Sequence, residues 1–254
     1  MKIDLLDRPR LEILNKRGPK YHLQDAEKDY FLAVILSIFY NSKLKNNLVF
    51  KGGTAIYHCY LEQIRFSKDL DFTARIKLKP ADIEKVFSGF EIFKLKDIED
   101  KKYGLDFSIQ YQGVLTQPDT IEVDINTNQK VLLEPEPMEY RNYYGVKLFC
   151  PVMDKSEIFA EKIRALNDRA RTRDSYDLVL LKKKFGLKIK DGLILLAKKE
   201  LHRPLDKERI TENLRISQER FEDEMNELYY REPVSKEELK KLADEISEMI
   251  INMI

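Results

Sequence analysis

The chain has 254 residues, 43% of them hydrophobic and 35% charged, and its 45 Lys and Arg nearly balance its 44 Asp and Glu. This apolar content excludes an intrinsically disordered protein, and the formal net charge of +1 excludes a uniformly basic nucleic-acid coat. Two Cys and three His exclude a disulfide scaffold and a His-rich metal site. We therefore expect any bound metal to be a hard cation such as Mg²⁺, held by carboxylates.

The first 150 residues alternate between helical and strand patterns. Apolar residues at helical spacing predict a helical opening to about residue 47, in which Asp25 is expected to cap a deeply buried helix. The next predicted helices span residues 54–61 and 80–87. Predicted strands span residues 48–50, 70–74, 91–95, 104–112, 120–126 and 145–149, with a loop at Pro135 and Pro137 before the last of them.

Strand patterns disappear after Pro151, and helical patterns replace them. The predicted helices span residues 155–168, 174–185, 191–201, 207–228 and 235–254. Ser235 with Glu238 forms a capping-box pattern at the start of the last helix. The predicted fold class is α+β, with a mixed α/β domain at residues 1–150 followed by an all-helical domain at residues 151–254.

No membrane or export segment is evident in the sequence. The longest apolar run, residues 31–39, has nine residues, whereas a membrane-spanning helix needs about 20. The N-terminal residues lack the apolar core of a signal peptide. We therefore expect a cytoplasmic protein without membrane contacts.

A double glycine followed by two aspartates is the most informative motif. A strand ends at Gly52-Gly53-Thr54 and leads into a helix, where backbone N–H groups and the Thr54 hydroxyl can approach a phosphate. The next strand carries Asp69 and Asp71 on one face, because side chains alternate along a strand. Each piece alone is usually structural, but the ordered combination favours metal-dependent chemistry on a nucleoside triphosphate.

A third carboxylate is expected on a later strand that faces the first two. Asp124 is the best candidate, and Glu122 has the same strand parity and is the second choice. Asp106, in the strand before, is a less favoured candidate. A solvated side chain on an edge strand is the structural alternative for Asp124.

Charge is unevenly distributed in the helical half. Residues 155–209 carry 16 basic and 9 acidic side chains, whereas residues 210–254 carry 6 basic and 12 acidic ones. Two solvated helical faces of opposite sign are the structural explanation. Alternatively, the basic segment contacts the phosphates of a nucleic acid, and the acidic tail packs on it.

These motifs resemble nucleotidyltransferases related to DNA polymerase β, in which a Gly-Gly/Ser element precedes a strand with two acidic metal ligands. The segments KGGTAIYHCYL, RFSKDLDF and SEIFAEKIRALNDRARTRDSYDLVLL narrow the resemblance to the AbiEii/AbiGii toxin family. The matched segments cover residues 50–74 and 156–180, whereas residues 185–254 carry no matching motif. The 14 residues between Thr54 and Asp69 form a longer gap than the broad superfamily pattern has.

The resemblance implies a polymerase β-like core and Mg²⁺-dependent transfer of a nucleoside monophosphate from an NTP to an acceptor. It further implies a toxin of a toxin–antitoxin or phage-defence system, a separate antitoxin, and tRNA as the acceptor along residues 155–209. The implied metal ligands are Asp69, Asp71 and Asp124. The implied NTP-binding residues are Gly52, Gly53, Thr54, Arg65 and Ser67, the last two either on a phosphate or bracing the loop.

Lys162 and Asp177 complete the predicted site. Lys162 lies beside the buried stripe of its helix, from where its ammonium could neutralise the leaving pyrophosphate. Asp177 could orient Lys162 or accept the proton of the attacking group. A salt bridge between two helices is the structural alternative, and the family resemblance favours the catalytic role. Asp174 could instead cap its helix.

Two other functions are compatible with the same sequence. One is a catalytically silent nucleotide- or RNA-binding protein on this fold. The other is a nucleotidyltransferase whose acceptor is a protein or a small molecule. Incubation with labelled NTP, Mg²⁺ and total RNA discriminates between these functions and transfer to RNA.

Overall fold

A computed structural model describes residues 4–115, 117–199, 204–220 and 228–251. These residues form two compact units. The first comprises the chain up to Val131 together with Pro135–Met153, and the second comprises Leu132–Glu134 together with the chain from Asp154. Among the described residues, no helix is both long enough and apolar enough to cross a membrane.

The first unit combines helices with one seven-stranded mixed sheet. Its helices are α1 Arg8–Arg17, α2 Leu23–Tyr40, α3 Gly52–Ala55, which continues as a π-helical turn over Ile56–Tyr60, and α4 Pro80–Phe87. Its strands are β1 Leu48–Lys51, β2 Leu70–Ala74, β3 Phe93–Lys101, β4 Gly104–Tyr111, β5 Asp119–Asn126, β6 Glu136–Glu139 and β7 Phe149–Val152.

The strand order places the aspartate motif at the centre of the sheet. That order is β3-β4-β5-β2-β1-β7-β6. β2 pairs antiparallel with β1 and parallel with β5, and β1 pairs parallel with β7. The other neighbouring strands are antiparallel. Since β1 and β5 flank β2, side chains from three strands can meet on either face.

The two faces of the sheet differ in character. Phe72 of β2 lies opposite Phe50 of β1, and its ring centre is 5.3 Å from that of Phe39 in α2. This face therefore packs on α2 and forms the core of the unit. Because side chains alternate along a strand, Asp71 points to the opposite face.

The structure differs from the sequence prediction at the start of α2 and along β3. His22 is the N-cap of α2, so Asp25 lies in the first turn and does not cap the helix. The strand predicted at residues 91–95 begins at Phe93 and continues to Lys101 past an irregularity in register. The charged residues of that extension conceal the alternation that sequence analysis needs.

The region around the two prolines also differs from the prediction. The loop expected there contains β6, an edge strand in which Pro137 is tolerated because its missing N–H can face away from the ladder. The strand predicted at residues 145–149 begins at Phe149 instead and runs to Val152.

The second unit is helical, and the predicted α+β fold class is confirmed. Its helices are α5 Lys155–Asp168, α6 Thr172–Phe185, α7 Ile189–Leu196, α8 Lys207–Glu219 and α9 Lys236–Ile251. The predicted capping box is confirmed, because Ser235 and Glu238 each accept a hydrogen bond from the other's backbone N–H. The helix predicted at 207–228 ends at Glu219, and the rest of that prediction falls mainly on 221–227, outside the described residues.

Candidate active site

The turn after β1 requires glycine at its first position. Gly52 has a φ of +79°, a left-handed conformation that residues with side chains disfavour. A Cβ atom at Gly52 would lie 2.0 Å from the Oδ2 atom of Asp71. The missing side chain therefore lets the Asp71 carboxylate lie directly against the turn predicted to bind phosphate.

Thr54 connects this turn to the aspartate motif. Its hydroxyl donates a hydrogen bond to the carbonyl oxygen of Asp69 at 2.6 Å, and its side chain is fully buried. The hydroxyl thus fixes the backbone that leads into β2. The N–H groups of the first helical turn, which have no acceptor within the helix, are the donors that suit a phosphate.

The helix after the turn ends in a π-helical turn that Arg141 holds in place. The Leu61 N–H donates to the carbonyl of Ile56 at 2.7 Å, the spacing of a π-helix. The Arg141 guanidinium donates to the carbonyls of Cys59 and Leu61, at 2.7 Å each. These bonds satisfy carbonyls that a helix end leaves unpaired, and they anchor the helix that begins at the glycine turn.

Asp71 and Asp124 lie side by side on neighbouring parallel strands. They are direct register partners, so both side chains point to the same face of the sheet. Glu122 lies two residues further back along β5, opposite Ser108 of β4. The register therefore favours Asp124 over Glu122 as the partner of Asp71. Asp69 is half-buried and immediately precedes β2.

Asp106 is less suited to be a metal ligand. It is the register partner of Asp124 on β4, so it lies on the same face. Its carboxylate forms an ion pair with Lys101. The Lys101 ammonium therefore already neutralises the Asp106 carboxylate, which makes Asp106 a less suitable metal ligand than Asp71 or Asp124.

Lys51 is a candidate site residue that the sequence interpretation missed. It is the register partner of Asp71 on β1, and it is only 7% exposed. Its ammonium lies 3.5 Å from the side-chain oxygen of Gln129, whose backbone N–H donates to the Asn126 side chain at 2.9 Å. Burial of a charge costs free energy unless an opposite charge or hydrogen bonds compensate it. The buried Lys51 ammonium beside Asp71 therefore marks Lys51 as a candidate site residue. The sequence signal was a Lys that ends a buried strand directly before Gly-Gly.

The donors on this face of the sheet suit a hard cation. Asp69, Asp71 and Asp124 offer carboxylate oxygens, the ligands that Mg²⁺ prefers. Within the described residues, no group of three or more His, Cys, Asp or Glu side chains is arranged to enclose a metal ion. The pair Asp71–Asp124 fits a site shared with a substrate, because Mg²⁺ is commonly held by one or two carboxylates plus phosphates and water.

Arg65 and Ser67 lie against the second glycine of the turn. A Cβ atom at Gly53 would lie 2.7 Å from the Ser67 Oγ atom and 2.8 Å from an Arg65 guanidinium nitrogen. Arg65 is 2% exposed, donates to the Phe66 carbonyl at 2.8 Å, and lies 4.8 Å from the centre of the Tyr57 ring. Of the two roles expected for Arg65, these contacts favour bracing the loop.

Lys162, in the second unit, is held between two buried carboxylates. Its Nζ atom is 2.7 Å from Asp174 Oδ1 and 2.8 Å from Asp177 Oδ2. Arg169 contacts the other oxygen of Asp174 at 2.9 Å. These four residues, called the Lys162 cluster below, form an ion-pair network in which Lys162, Asp174 and Asp177 are buried and Arg169 is exposed. The contact between Lys162 and Asp177 suits both a catalytic and a structural role.

Asp174 is an ion-pair partner and not a helix N-cap. Arg171 is the N-cap residue of α6, which begins at Thr172. Burial by itself raises the pKa of Asp174, but Lys162 and Arg169 outweigh that effect and hold the pKa well below its usual range. Asp174 therefore stays ionised and shares the Lys162 ammonium with Asp177.

The acidic C-terminal region neutralises part of the basic segment. Three lysines of α6 pair with glutamates: Lys182 with Glu245, Lys183 with Glu238, and Lys184 with Glu232. Lys188 and Lys190 are exposed and form no ion pair with the described residues. The basic charge available to a partner is therefore concentrated around α7, and less of it lies on α6.

Solved structures share this fold at low sequence identity. MenT4, a nucleotidyltransferase toxin from Mycobacterium tuberculosis, matches with a TM-score of 0.57 at 17% identity, over 94% of this chain and 87% of that chain. JHP933 from Helicobacter pylori matches with a TM-score of 0.56 at 19% identity, over 91% of each chain. A search of curated proteins found no significant match.

Comparison with family models identifies the family of the chain and not only its fold. The model of the family described as nucleotidyl transferase AbiEii toxin, type IV toxin–antitoxin system, matches residues 34–248. This range includes the glycine turn, the aspartate motif and the Lys162 cluster. The chain therefore belongs to the AbiEii family of nucleotidyltransferase toxins.

Proposed function

We propose that this nucleotidyltransferase acts in the cytoplasm, depends on Mg²⁺, and transfers a nucleoside monophosphate from an NTP to tRNA. The register pair of Asp71 and Asp124 beside the glycine turn is the observation that carries the proposal. Two aligned carboxylates and a set of backbone N–H groups are the parts that a metal–triphosphate complex requires.

Each part of the site has a proposed role. Asp71 and Asp124, with Asp69 as a further proposed ligand, would hold Mg²⁺, which would neutralise and orient the triphosphate. The N–H groups at Gly52, Gly53 and Thr54 bind phosphate oxygens. Ser67, whose hydroxyl faces the turn, is a further proposed NTP-binding residue, and the proposed role of Arg65 is to keep the loop of this NTP site in place.

The transfer exchanges one phosphorus–oxygen bond for another. An acceptor hydroxyl oxygen bonds to the α-phosphorus and releases its proton, while the bond from that phosphorus to the β-phosphate oxygen breaks and pyrophosphate leaves. We propose that Lys162 neutralises the charge that develops on pyrophosphate. Asp177 is fully buried and contacts Lys162 at 2.8 Å, so its proposed role is to orient this ammonium.

The proposed partners follow from charge and family. Exposed lysines around α7, within the basic segment 155–209, suit the phosphates of an RNA acceptor. A cognate antitoxin is the second proposed partner, because the family belongs to toxin–antitoxin systems.

Transfer from labelled NTP in the presence of Mg²⁺ and total RNA tests the proposal. We expect the wild type to label tRNA, and Asp71→Asn or Asp124→Asn to lose roughly 10³-fold or more in rate. Asn keeps the shape of Asp but removes the charge that binds metal. Glu122→Gln is the matched control, because Glu122 is an exposed carboxylate on the same strand, and it should retain most of the activity.

Each contrary result identifies the part that is wrong. Full activity of purified Asp69→Asn or Asp71→Asn would overturn the metal site. Equal losses in Asp124→Asn and Glu122→Gln would overturn the register assignment. Labelling of protein in place of RNA would assign a protein acceptor, and NTP binding without transfer would assign a silent binding protein.

A further inference from the structure

A cavity of about 440 Å³ opens between the end of α2 and α4 in the first unit. Ile38, Leu44, Val86 and Phe90 supply its apolar lining. Its volume lies within the range of small-molecule binding pockets. An aromatic ring among aliphatic side chains suits a ligand with a flat ring face, such as a nucleobase.

This cavity is separate from the candidate active site. Its lining segments join β1 at the start of that strand and follow β2 at its end. Asp71, by contrast, is the register partner of Lys51, the last residue of β1. The cavity therefore lies toward the opposite end of the two central strands.

The rim of the cavity is positively charged. Lys43 and Lys85 line it, and the exposed Lys45 lies next to it in the chain. These three lysines form no ion pair with any described residue. The acidic lining residue, Asp82, accepts the backbone N–H of Lys79 at 2.9 Å, so its charge is directed to the start of α4. Ammonium groups that form no ion pair with any described residue thus border the apolar lining of the cavity.

We propose that this cavity binds one unpaired base of the RNA acceptor, with Lys43 and Lys85 on the flanking phosphates. The inference rests on the proposed function, because it assumes an RNA acceptor. The face of a base can stack on Phe90, and the two ammonium groups complement the phosphates on either side of that base. An acidic protein segment would also satisfy the lysines, but it offers no flat ring for the apolar lining.

RNA binding by a charge-reversal variant tests this cavity. Intact Lys43→Glu/Lys85→Glu is compared with wild type, with labelled tRNA as the probe, across a series of salt concentrations. Loss of two phosphate contacts should weaken binding about tenfold or more and lower the slope of log K against log salt by about 1.4. The KM for NTP should not change, since the cavity is separate from the candidate NTP site.

A second double variant controls for the change in net charge. Lys94→Glu/Lys147→Glu alters two exposed lysines of the same unit that also have no ion pair with the described residues. It should bind tRNA with nearly the wild-type slope. Equal binding by the two double variants would overturn the cavity proposal.

Cross-linking locates the contact directly. Irradiation of 4-thiouridine-substituted tRNA with the wild type should give cross-links within residues 38–44 or 82–90. Cross-links confined to other regions would overturn the proposal. Binding of polyglutamate, and not of RNA, to these residues would also overturn it. RNA binding that depends on Lys43 and Lys85 without any nucleotide transfer would overturn the acceptor proposal alone, so the two failures are distinguishable.

Discussion

Burial increases the stability that we expect the ion pairs of Lys162 to contribute. An exposed ion pair adds only about 0–1 kcal/mol to stability, so its loss would barely affect folding. Lys162 and its two aspartate partners are buried, and removal of one partner of a buried pair costs about 3–5 kcal/mol. Reduced stability of a Lys162 variant therefore does not by itself separate a catalytic role from a structural one.

Lys199 offers a matched comparison for Lys162. Its ammonium is also buried between two carboxylates, Glu157 at 2.6 Å and Glu161 at 2.7 Å. We predict that Lys162→Ala and Lys199→Ala both lower the melting temperature, because each removes a buried ammonium that pairs with two carboxylates. Only Lys162→Ala should also lower the turnover of the folded fraction, by about 10²-fold or more, because its proposed role is to neutralise charge on the leaving pyrophosphate.

Single-turnover transfer from labelled NTP, alongside thermal melts, measures both effects. Asp177→Asn should reduce turnover as Lys162→Ala does, and the double variant should lose little more, because both groups are proposed to serve one step. If folded Lys162→Ala transfers at the rate of folded Lys199→Ala, the Lys162 cluster is structural.

At the scale of elements, the glycine turn couples the helix α3 to the strand β2. We predict that Gly52→Ala displaces Asp71, because the new Cβ would lie 2.0 Å from its carboxylate oxygen. A left-handed non-glycine residue adds about 1–2 kcal/mol of strain. Transfer should fall toward the level of Asp71→Asn, with a melting temperature lowered by about 2–8 °C.

Gly89→Ala is the control for that substitution. A Cβ atom at Gly89 would meet no heavy atom within 4 Å, so this variant should melt and transfer as the wild type does. Transfer and melting of both variants are measured side by side. Wild-type transfer by Gly52→Ala would show that the close approach of Asp71 to the turn has no functional importance.

Sequence periodicity predicted the elements of the site better than its details. The alternation in β2 and β5 placed Asp71 and Asp124 on strands, but Asp124 and Glu122 share one parity. Only the pairing register, a tertiary property, distinguishes them. The burial of Lys51 was missed although this Lys ends a buried strand directly before Gly-Gly, because lysines are almost always exposed and such a position is usually read as the solvated end of a strand.

For the whole molecule, net charge near zero conceals a local imbalance. We predict that Lys188→Glu/Lys190→Glu weakens tRNA binding and lowers the salt slope by about 1.4–1.8, because both lysines are exposed and unpaired among the described residues. Lys183→Glu/Lys184→Glu should change binding less, since their charges are already shared with glutamates.

The measurement is tRNA affinity at several salt concentrations, with NTP binding as the reference. NTP affinity should be unchanged in both double variants. A larger effect at Lys183 and Lys184 than at Lys188 and Lys190 would contradict the view that ion pairs with the acidic region occupy the α6 lysines. Affinity independent of salt would contradict phosphate contacts altogether.

Synthesis on the ribosome completes the pair of aspartates late. Asp71 leaves the exit tunnel well before Asp124, and β2 gains its parallel neighbour only when β5 has emerged. β1 likewise waits for β7, where Val152 is the partner of Phe50. Strands distant in the chain pair only after a long loop closes. The proposed metal-binding pair of Asp71 and Asp124 therefore forms only after most of the first unit has been translated.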